Sequence, residues 1–452
     1  MQGPMEGRTY RAEITGYTSK GEGVARIEGR AVFVPGALRG EVCSIRIVKA
    51  GQNVCVGEIR EVLVPSPHRT APACPVYERC GGCAFMHMDY AEECESKRQR
   101  AEDALRRIGG AEIRVETIRP APEALGYRNK AIFAVGLEDG VPVTGFYAAR
   151  SHTVVPAPAC LIQSRTALDA AKAVREWMSA NSIAPWVPKS GKGCVRHVFC
   201  RTAEKTGTAQ VAVVTGTAEI PKPEDLICRI RQRCPQVTSI VHNINPAAGN
   251  TVFSGTFRPL WGETWIEDEL CGLRFRLSAP SFYQVNRIQA EVLYYTALEM
   301  ADLTGEDTAL DLCCGTGTII LLLAGRAKEA VGVEIVSEAV EDARENAARN
   351  GIVNARFFCA DVAQTASILR HEGLCPSVIV ADPPRKGLPP EAVKAIGEIS
   401  PERLVYISCD PATLARDVRL LSEYGYIPRR AAAVDLFPRT SHVESVVLMT
   451  RN

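Results

Sequence analysis

The 452-residue chain has no long hydrophobic run, no leader pattern and almost no net charge. Its longest apolar stretch lies around residues 319–324, far short of the roughly 20 residues that cross a bilayer as a helix. No charged segment followed by an apolar one opens the chain. Seventeen cysteines without such a leader predict reduced thiols, metal ligation or catalysis rather than a secreted disulfide framework. A cytoplasmic protein with no membrane partner is expected. The charge of +1 hides an asymmetry: residues 1–277 carry 36 Lys and Arg against 29 Asp and Glu, and residues 278–452 carry 17 against 23. A basic front half suits a polyanionic partner.

At this length two or three domains are expected. Residues 8–65 hold short strand candidates (10–14, 31–35, 42–47 and 54–59) separated by glycine-rich turns at Gly21-Glu22-Gly23, Gly36 and Gly40. That spacing predicts a small β-barrel. A proline-rich connector over 65–75 leads into a cysteine cluster, and residues 90–108 read as a helix rich in charge and alanine. Residues 125–277 mix strands with turns. Beyond about 280, strand candidates at 309–312, 330–334, 355–358, 378–381 and 404–407 alternate with helical segments, which predicts a parallel, doubly wound α/β sheet. The helix after the second of these strands is expected to take Ser337 as its N-cap, to carry Ala339, Val340, Ala343 and Ala347 on one face, and to end at Asn350-Gly351.

Two chemical features stand on that sheet. Ser408-Cys409-Asp410-Pro411 follows the apolar strand 404–407, so the Cys409 thiol is expected at the carboxyl edge, where open α/β sheets bind ligands. A thiolate there is a soft carbon nucleophile, and Glu444, just before the run 445–449, can serve as its acid/base partner. The competing reading is a buried, inert cysteine. The second feature is Asp311-Leu312-Cys313-Cys314-Gly315-Thr316-Gly317-Thr318, which ends a strand and opens a helix. Glycines there let a ligand approach the backbone. Glu334 ends the next strand, where a carboxylate can accept from ribose hydroxyls. The third glycine of a dinucleotide fingerprint is missing, so S-adenosylmethionine suits the pattern better than NAD. Asp361 and Asp382 end further strands, and Asp382-Pro383-Pro384-Arg385 forms a stiff loop able to hydrogen-bond a flat ring. Nitrogen methylation needs no thiol, whereas carbon 5 of a pyrimidine is unreactive until a nucleophile adds at carbon 6.

Cys74, Cys80 and Cys83 form a Cys-x5-Cys-x2-Cys cluster around Gly81-Gly82. An iron–sulfur cube usually takes four thiolates. Cys160 is the best fourth, because Ala157-Pro158-Ala159-Cys160 repeats Ala71-Pro72-Ala73-Cys74. A structural [4Fe–4S] cluster is favoured, with tetrahedral zinc second and unliganded cysteines third.

Together these elements resemble the RNA uracil-5-methyltransferases that carry a TRAM domain and an iron–sulfur cluster. The resemblance runs through the barrel, the four cysteines, Ser281-Phe282-Tyr283-Gln284-Val285-Asn286, Asp382-Pro383-Pro384-Arg385, Ser408-Cys409-Asp410-Pro411 and His442-Val443-Glu444. It implies an N-terminal, OB-like TRAM barrel for RNA (1–66) and a central α+β iron–sulfur domain (67–277), whose helix near 90–110 can pack on the next domain. The third domain (278–452) would be a Rossmann-like class I methyltransferase. It implies Cys409 as nucleophile, Glu444 as base, and donor binding by Gln284, Cys313, Thr318, Glu334, Asp361 and Asp382. It implies a monomer acting on RNA, with 23S rRNA as the expected target; a tRNA enzyme or a non-catalytic RNA-binding or ribosome-assembly protein are the alternatives. Cytosine-5 enzymes typically carry a second cysteine where this chain has Asp382-Pro383-Pro384, which favours uracil. Two positions depart from the family: Cys313, often aromatic, and Asp410, often asparagine.

Overall fold

A computed structural model describes residues 3–149, 151–188, 190–247, 249 and 251–451. The first five strands, Thr9–Tyr17, Gly23–Ile27, Arg30–Val34, Val42–Ala50 and Val54–Val64, close into a barrel. Alternation along them turns Ile14, Ala25, Val32, Val34, Cys43, Ile45 and Ile47 inward as one small core, as period-2 patterning requires. Cys43 and Cys55 are apolar filling of that barrel.

The middle of the chain forms a seven-stranded sheet. Helices Arg165–Ala180 and Pro223–Arg233 cover one face and bury Val174, Trp177, Met178, Leu226 and Ile230. Ser164 caps the first of them by accepting from the Ala167 amide.

The last unit is an eight-stranded sheet, ordered Ala355–Cys359, Glu329–Glu334, Thr308–Leu312, Val378–Ala381, Arg403–Ser408, Glu444–Arg451, Tyr426–Val434 and Ile118–Arg119. The first five are mutually parallel, and Glu444–Arg451 runs antiparallel to both its neighbours. Strands buried on both faces read as continuous apolar runs, and Leu404, Val405, Tyr406 and Ile407 are all fully buried.

The division at 277/278 is crossed repeatedly. Ile118–Arg119 adds the sheet's eighth strand, and helix Tyr90–Arg107 packs on helix Pro411–Ser422. The hairpin Trp265–Leu270 and Leu273–Ser278 also leans on this unit, donating the Arg274 and Arg276 amides to Asn350 and Asn346. Helix Tyr90–Arg107 is capped by Asp89 and carries a fully buried Lys97 bonded to Glu93 (2.8 Å) and Asp435 (2.7 Å). A charge at that depth is tolerable only when paired, so this cluster fixes the helix to the segment leading to Glu444.

Helix Ser337–Arg349 starts one residue earlier than expected. Val336 holds the cap position without a side-chain bond, and Ser337 Oγ instead bonds Glu338 at 2.9 Å. Glu334 explains the shift: its Oε1 accepts the Val336 amide at 2.9 Å, so the chain enters the helix without a serine cap. Val340, Ala343 and Ala347 are buried as the pattern requires, and Gly351 takes the left-handed conformation.

Candidate active site

Strand Arg403–Ser408 ends where its backbone is captured by the next helix. Asp410 accepts from the amides of Ala412 (2.9 Å) and Thr413 (3.1 Å), with Pro411 in the first turn. Asp and Asn serve about equally as N-caps, which removes the structural force of the Asp410 departure. Cys409 is thus fixed between the last ladder residue and the cap. Across the ladder, Ser408 pairs with Ser445, which sets Glu444 opposite Cys409 in the antiparallel register. Glu444 is only 3% exposed.

The electrostatics of this corner are dominated by burial. The Glu444 carboxyl is pushed up to about 8 by burial and then by Asp382, with Arg385 opposing. The Cys409 thiol is pushed up to about 11, by burial first and then by Glu444, while Arg385 pulls it back. Burial raises Asp382 to about 7. Arg385 contacts Nε2 of His442 through Nη2 at 3.2 Å. His442 is held down to about 4 by burial and by the cations Arg385, Arg100, Lys97 and Arg128. Arg385, His442 and the buried Tyr294, whose hydroxyl pairs with Gln284 and feels Asp382 and Glu444, were given no role from sequence. The Asp-Pro-Pro-Arg and His-Val-Glu motifs contained the first two; nothing local marked Tyr294, which arrives from helix Arg287–Ala301.

Of the residues expected to bind the donor, Glu334, Asp361 and Asp382 stand around Cys313. Cys313 adopts a left-handed φ of +67° and donates its amide to Val333 at 2.9 Å. Its thiol is raised to about 12 by burial and then by Asp311, Glu334, Asp382 and Asp361, so four carboxylates ring this position. Gly315 and Gly317 both have positive φ. A Cβ at Gly317 would meet Ala343 at 3.1 Å, so side chains are excluded where the loop touches helix Ser337–Arg349. Thr318 opens the short helix Thr318–Ala324. Glu334 binds the Gly315 amide at 3.1 Å as well as Val336. Asp361 caps the following 3-10 turn. Ile335, beside Glu334, is 63% exposed at this rim, an apolar surface the sequence did not flag. Asp311 has both carboxylate oxygens buried without a hydrogen-bond partner, and burial raises it well above the usual range. Such a group is costly unless a ligand donor reaches it. Gln284 is buried, and its carbonyl accepts from Asn129 at 2.9 Å.

Cys74, Cys80, Cys83 and Cys160 line one cavity of about 220 Å³, together with Arg128 and Gln163. All four are free thiols. Burial and the neighbouring Cys160, Cys80 and Cys74 push Cys83 up to about 12. Among the described residues, no three of His, Cys, Asp and Glu converge as ligands of a metal ion would.

Residues 4–60 match the TRAM domain and residues 266–452 match the family described as tRNA (Uracil-5-)-methyltransferase. Over 442 residues the chain is 40% identical to an RNA methyltransferase of Clostridium tetani, covering 98% of this chain and 96% of that one. It is also 40% identical over 445 residues to an RNA methyltransferase of Caldanaerobacter subterraneus subsp. tengcongensis, covering 98% of each. The chain belongs to the TRAM-domain RNA uracil-5-methyltransferase family. It is an S-adenosylmethionine-dependent RNA methyltransferase with the α/β fold of that class. The Pyrococcus abyssi tRNA (uracil-54, C5)-methyltransferase, solved with S-adenosyl-L-homocysteine, superposes with a TM-score of 0.78 at 26% identity, covering 97% of this chain and 99% of that one. Among the described residues no helix is long and apolar enough to cross a membrane.

Proposed function

We propose that this family member methylates carbon 5 of a specific uridine in RNA through covalent catalysis by Cys409. The observation that carries the reading is the ladder register that sets Glu444 opposite Cys409. S-adenosylmethionine, when bound, supplies an electrophilic methyl group. Gln284, Cys313, Thr318, Glu334, Asp361 and Asp382 hold it; the grouping of Glu334, Asp361 and Asp382 about Cys313, and of Asp382 with Cys409, supports this set. The Cys409 thiolate adds to carbon 6 of the uracil, and the ring becomes an enolate nucleophilic at carbon 5. After carbon 5 has gained its methyl group, Glu444 takes the carbon 5 proton, and elimination restores the uracil double bond and frees Cys409. Arg385 lies beside Cys409 and opposes the burial that keeps the thiol protonated, as thiolate formation requires. The target base leaves its stack to reach this crevice.

The cysteine cavity takes a [4Fe–4S] cluster on Cys74, Cys80, Cys83 and Cys160. Four free thiols lining one cavity support this ligand set. All four irons are then cysteine-bound, and the cluster staples the 74–83 loop to Cys160. The protein is proposed to act as a monomer. 23S rRNA is the proposed target, and the P. abyssi likeness favours tRNA as the second reading. Mapping 5-methyluridine in rRNA and tRNA from a deletion strain tests both. Loss at a single 23S position fits the first, loss in tRNA the second, and no loss in either removes the uridine reading.

A further inference from the structure

Segment 435–443 is an irregular stretch that joins strand Tyr426–Val434 to strand Glu444–Arg451. Leu436, Pro438 and Val443 within it are buried, so its backbone groups need partners that no ladder supplies. Five consecutive carbonyls find them in other parts of the chain. Gln289 and Asn286, from helix Arg287–Ala301 and its cap, donate to Asp435 (3.0 Å) and Leu436 (3.2 Å). Lys97 Nζ donates to Phe437 at 3.2 Å. The Tyr127 hydroxyl donates to Pro438 at 2.9 Å. The amides of Ala84 and Phe85 both donate to Arg439, at 2.8 and 3.1 Å. Arg439 sits at a left-handed φ of +67°, unfavourable for a residue with a Cβ. The turn is therefore held by these contacts and not by local preference.

The last two anchors belong to the lobe that carries the four thiols. Ala84 and Phe85 directly follow Cys83. Tyr127 forms one buried cluster with Met86 and Ile162, against which Cys83 and Cys160 pack. On the other side, the segment reaches the catalytic corner. The Phe437 ring meets the His442 ring edge-on with centroids 5.7 Å apart, and His442 Nε2 contacts Arg385 at 3.2 Å. Arg385 in turn lies beside Cys409. Ladder pairing with Val434 fixes the backbone of Glu444, whereas Phe437 and His442 depend on the irregular segment for their placement. We propose that Tyr127 is a positioning residue for the methylation reaction: through the Pro438 carbonyl it holds segment 435–443 so that Phe437 and His442 keep Arg385 against Cys409. Without that bond the turn at Pro438 relaxes. RNA and donor still bind, but the thiol is presented less often in a reactive geometry, and small displacements of that kind are expensive in rate.

This inference rests on the uridine-methylation reading, and its test separates the two. Tyr127→Phe removes one hydroxyl and keeps the ring in its cluster, so the bond is deleted without emptying the core. Wild-type protein and variant are compared in two measurements. The first is methyl transfer from labelled S-adenosylmethionine to total RNA of a strain lacking the gene, titrated to saturation. The second is hydrogen exchange of the protein alone, read by mass spectrometry. The variant's kcat should fall about tenfold, the worth of one net buried hydrogen bond, while KM for RNA and affinity for the donor move by less than about twofold. Exchange should quicken in peptides covering 84–85 and 435–442, with the barrel and the central sheet unchanged. An unchanged kcat overturns the proposal whatever the exchange shows. A loss carried by KM places the hydroxyl in RNA binding and overturns it too, as does faster exchange throughout the chain, which marks a purely structural role. A wild-type protein that methylates no RNA overturns the uridine reading, and the exchange comparison, which needs no substrate, tells that failure from a failure of the tie itself.

Discussion

Glu444→Gln removes one buried acid while keeping its shape. Because the carboxyl sits at about 8 instead of its usual 4.5, the folded protein keeps a proton that the unfolded chain has already released between those values. Protons bound more tightly by the folded state make stability fall as pH rises. The wild-type protein therefore loses stability from this group as pH climbs above about 4.5, and the loss levels off above about 8. At ~1.36 kcal/mol per pKa unit the full penalty approaches ~5 kcal/mol, of which ~3 kcal/mol accrues between pH 5 and pH 8. Glutamine carries no such linkage. Urea unfolding followed by circular dichroism should show the variant gaining on the wild-type protein by ~3 kcal/mol across that window. A stability difference that does not change with pH refutes the burial argument. The same variant tests the chemistry. Single-turnover reactions should accumulate methylated RNA still bonded to Cys409, because the carbon 5 proton stays in place. A folded variant that forms no adduct refutes the role of Glu444 as the carbon 5 base. In the wild-type protein the ionised fraction of Glu444 grows through about pH 8, so a rate limited by that proton transfer should rise over the same range.

Cys409→Ala should abolish methylation with donor binding nearly intact, and RNA containing 5-fluorouracil should trap a complex stable in denaturing gels; residual methylation by the alanine variant refutes the nucleophile assignment. Cys160→Ser should bleach the brown colour expected of anaerobically purified protein and weaken RNA binding more than donor binding, whereas a colourless wild-type preparation with one zinc per chain replaces iron in the same ligand set. Lys97→Met leaves Glu93 and Asp435 facing each other with Tyr90 and Arg439 as their remaining partners, and should cost about 3–5 kcal/mol in chemical denaturation; a loss below about 1 kcal/mol refutes the pairing argument.

Local sequence determined a great deal here. Period-2 alternation and glycine turns specify the barrel, because a five-stranded closed sheet has one small interior to fill. Continuous apolar runs followed by Gly-x-Gly, Glu334, Asp382 or Cys409 specify a parallel sheet whose carboxyl edge carries the chemistry. The motif spacing also singled out Cys409 and Glu444. That Glu444 partners Cys409 was expected, but not how they meet: 35 residues apart in sequence, they become neighbours because strand Glu444–Arg451 inserts antiparallel beside Arg403–Ser408. Long-range pairing is equally responsible for what the sequence misplaced or left blank. Ile118–Arg119 pairs with a strand more than three hundred residues away in the chain, and two residues carry no periodicity to announce it. Lys97 looks like one more charge on a solvated helix until Asp435 and Glu93 close over it. Arg385 and His442 lie in separate motifs 57 residues apart, and only the tertiary packing brings them within 3.2 Å. Local propensity and patterning decide which elements form and which edge is reactive; burial and strand register decide which charges meet, and through them which proton moves.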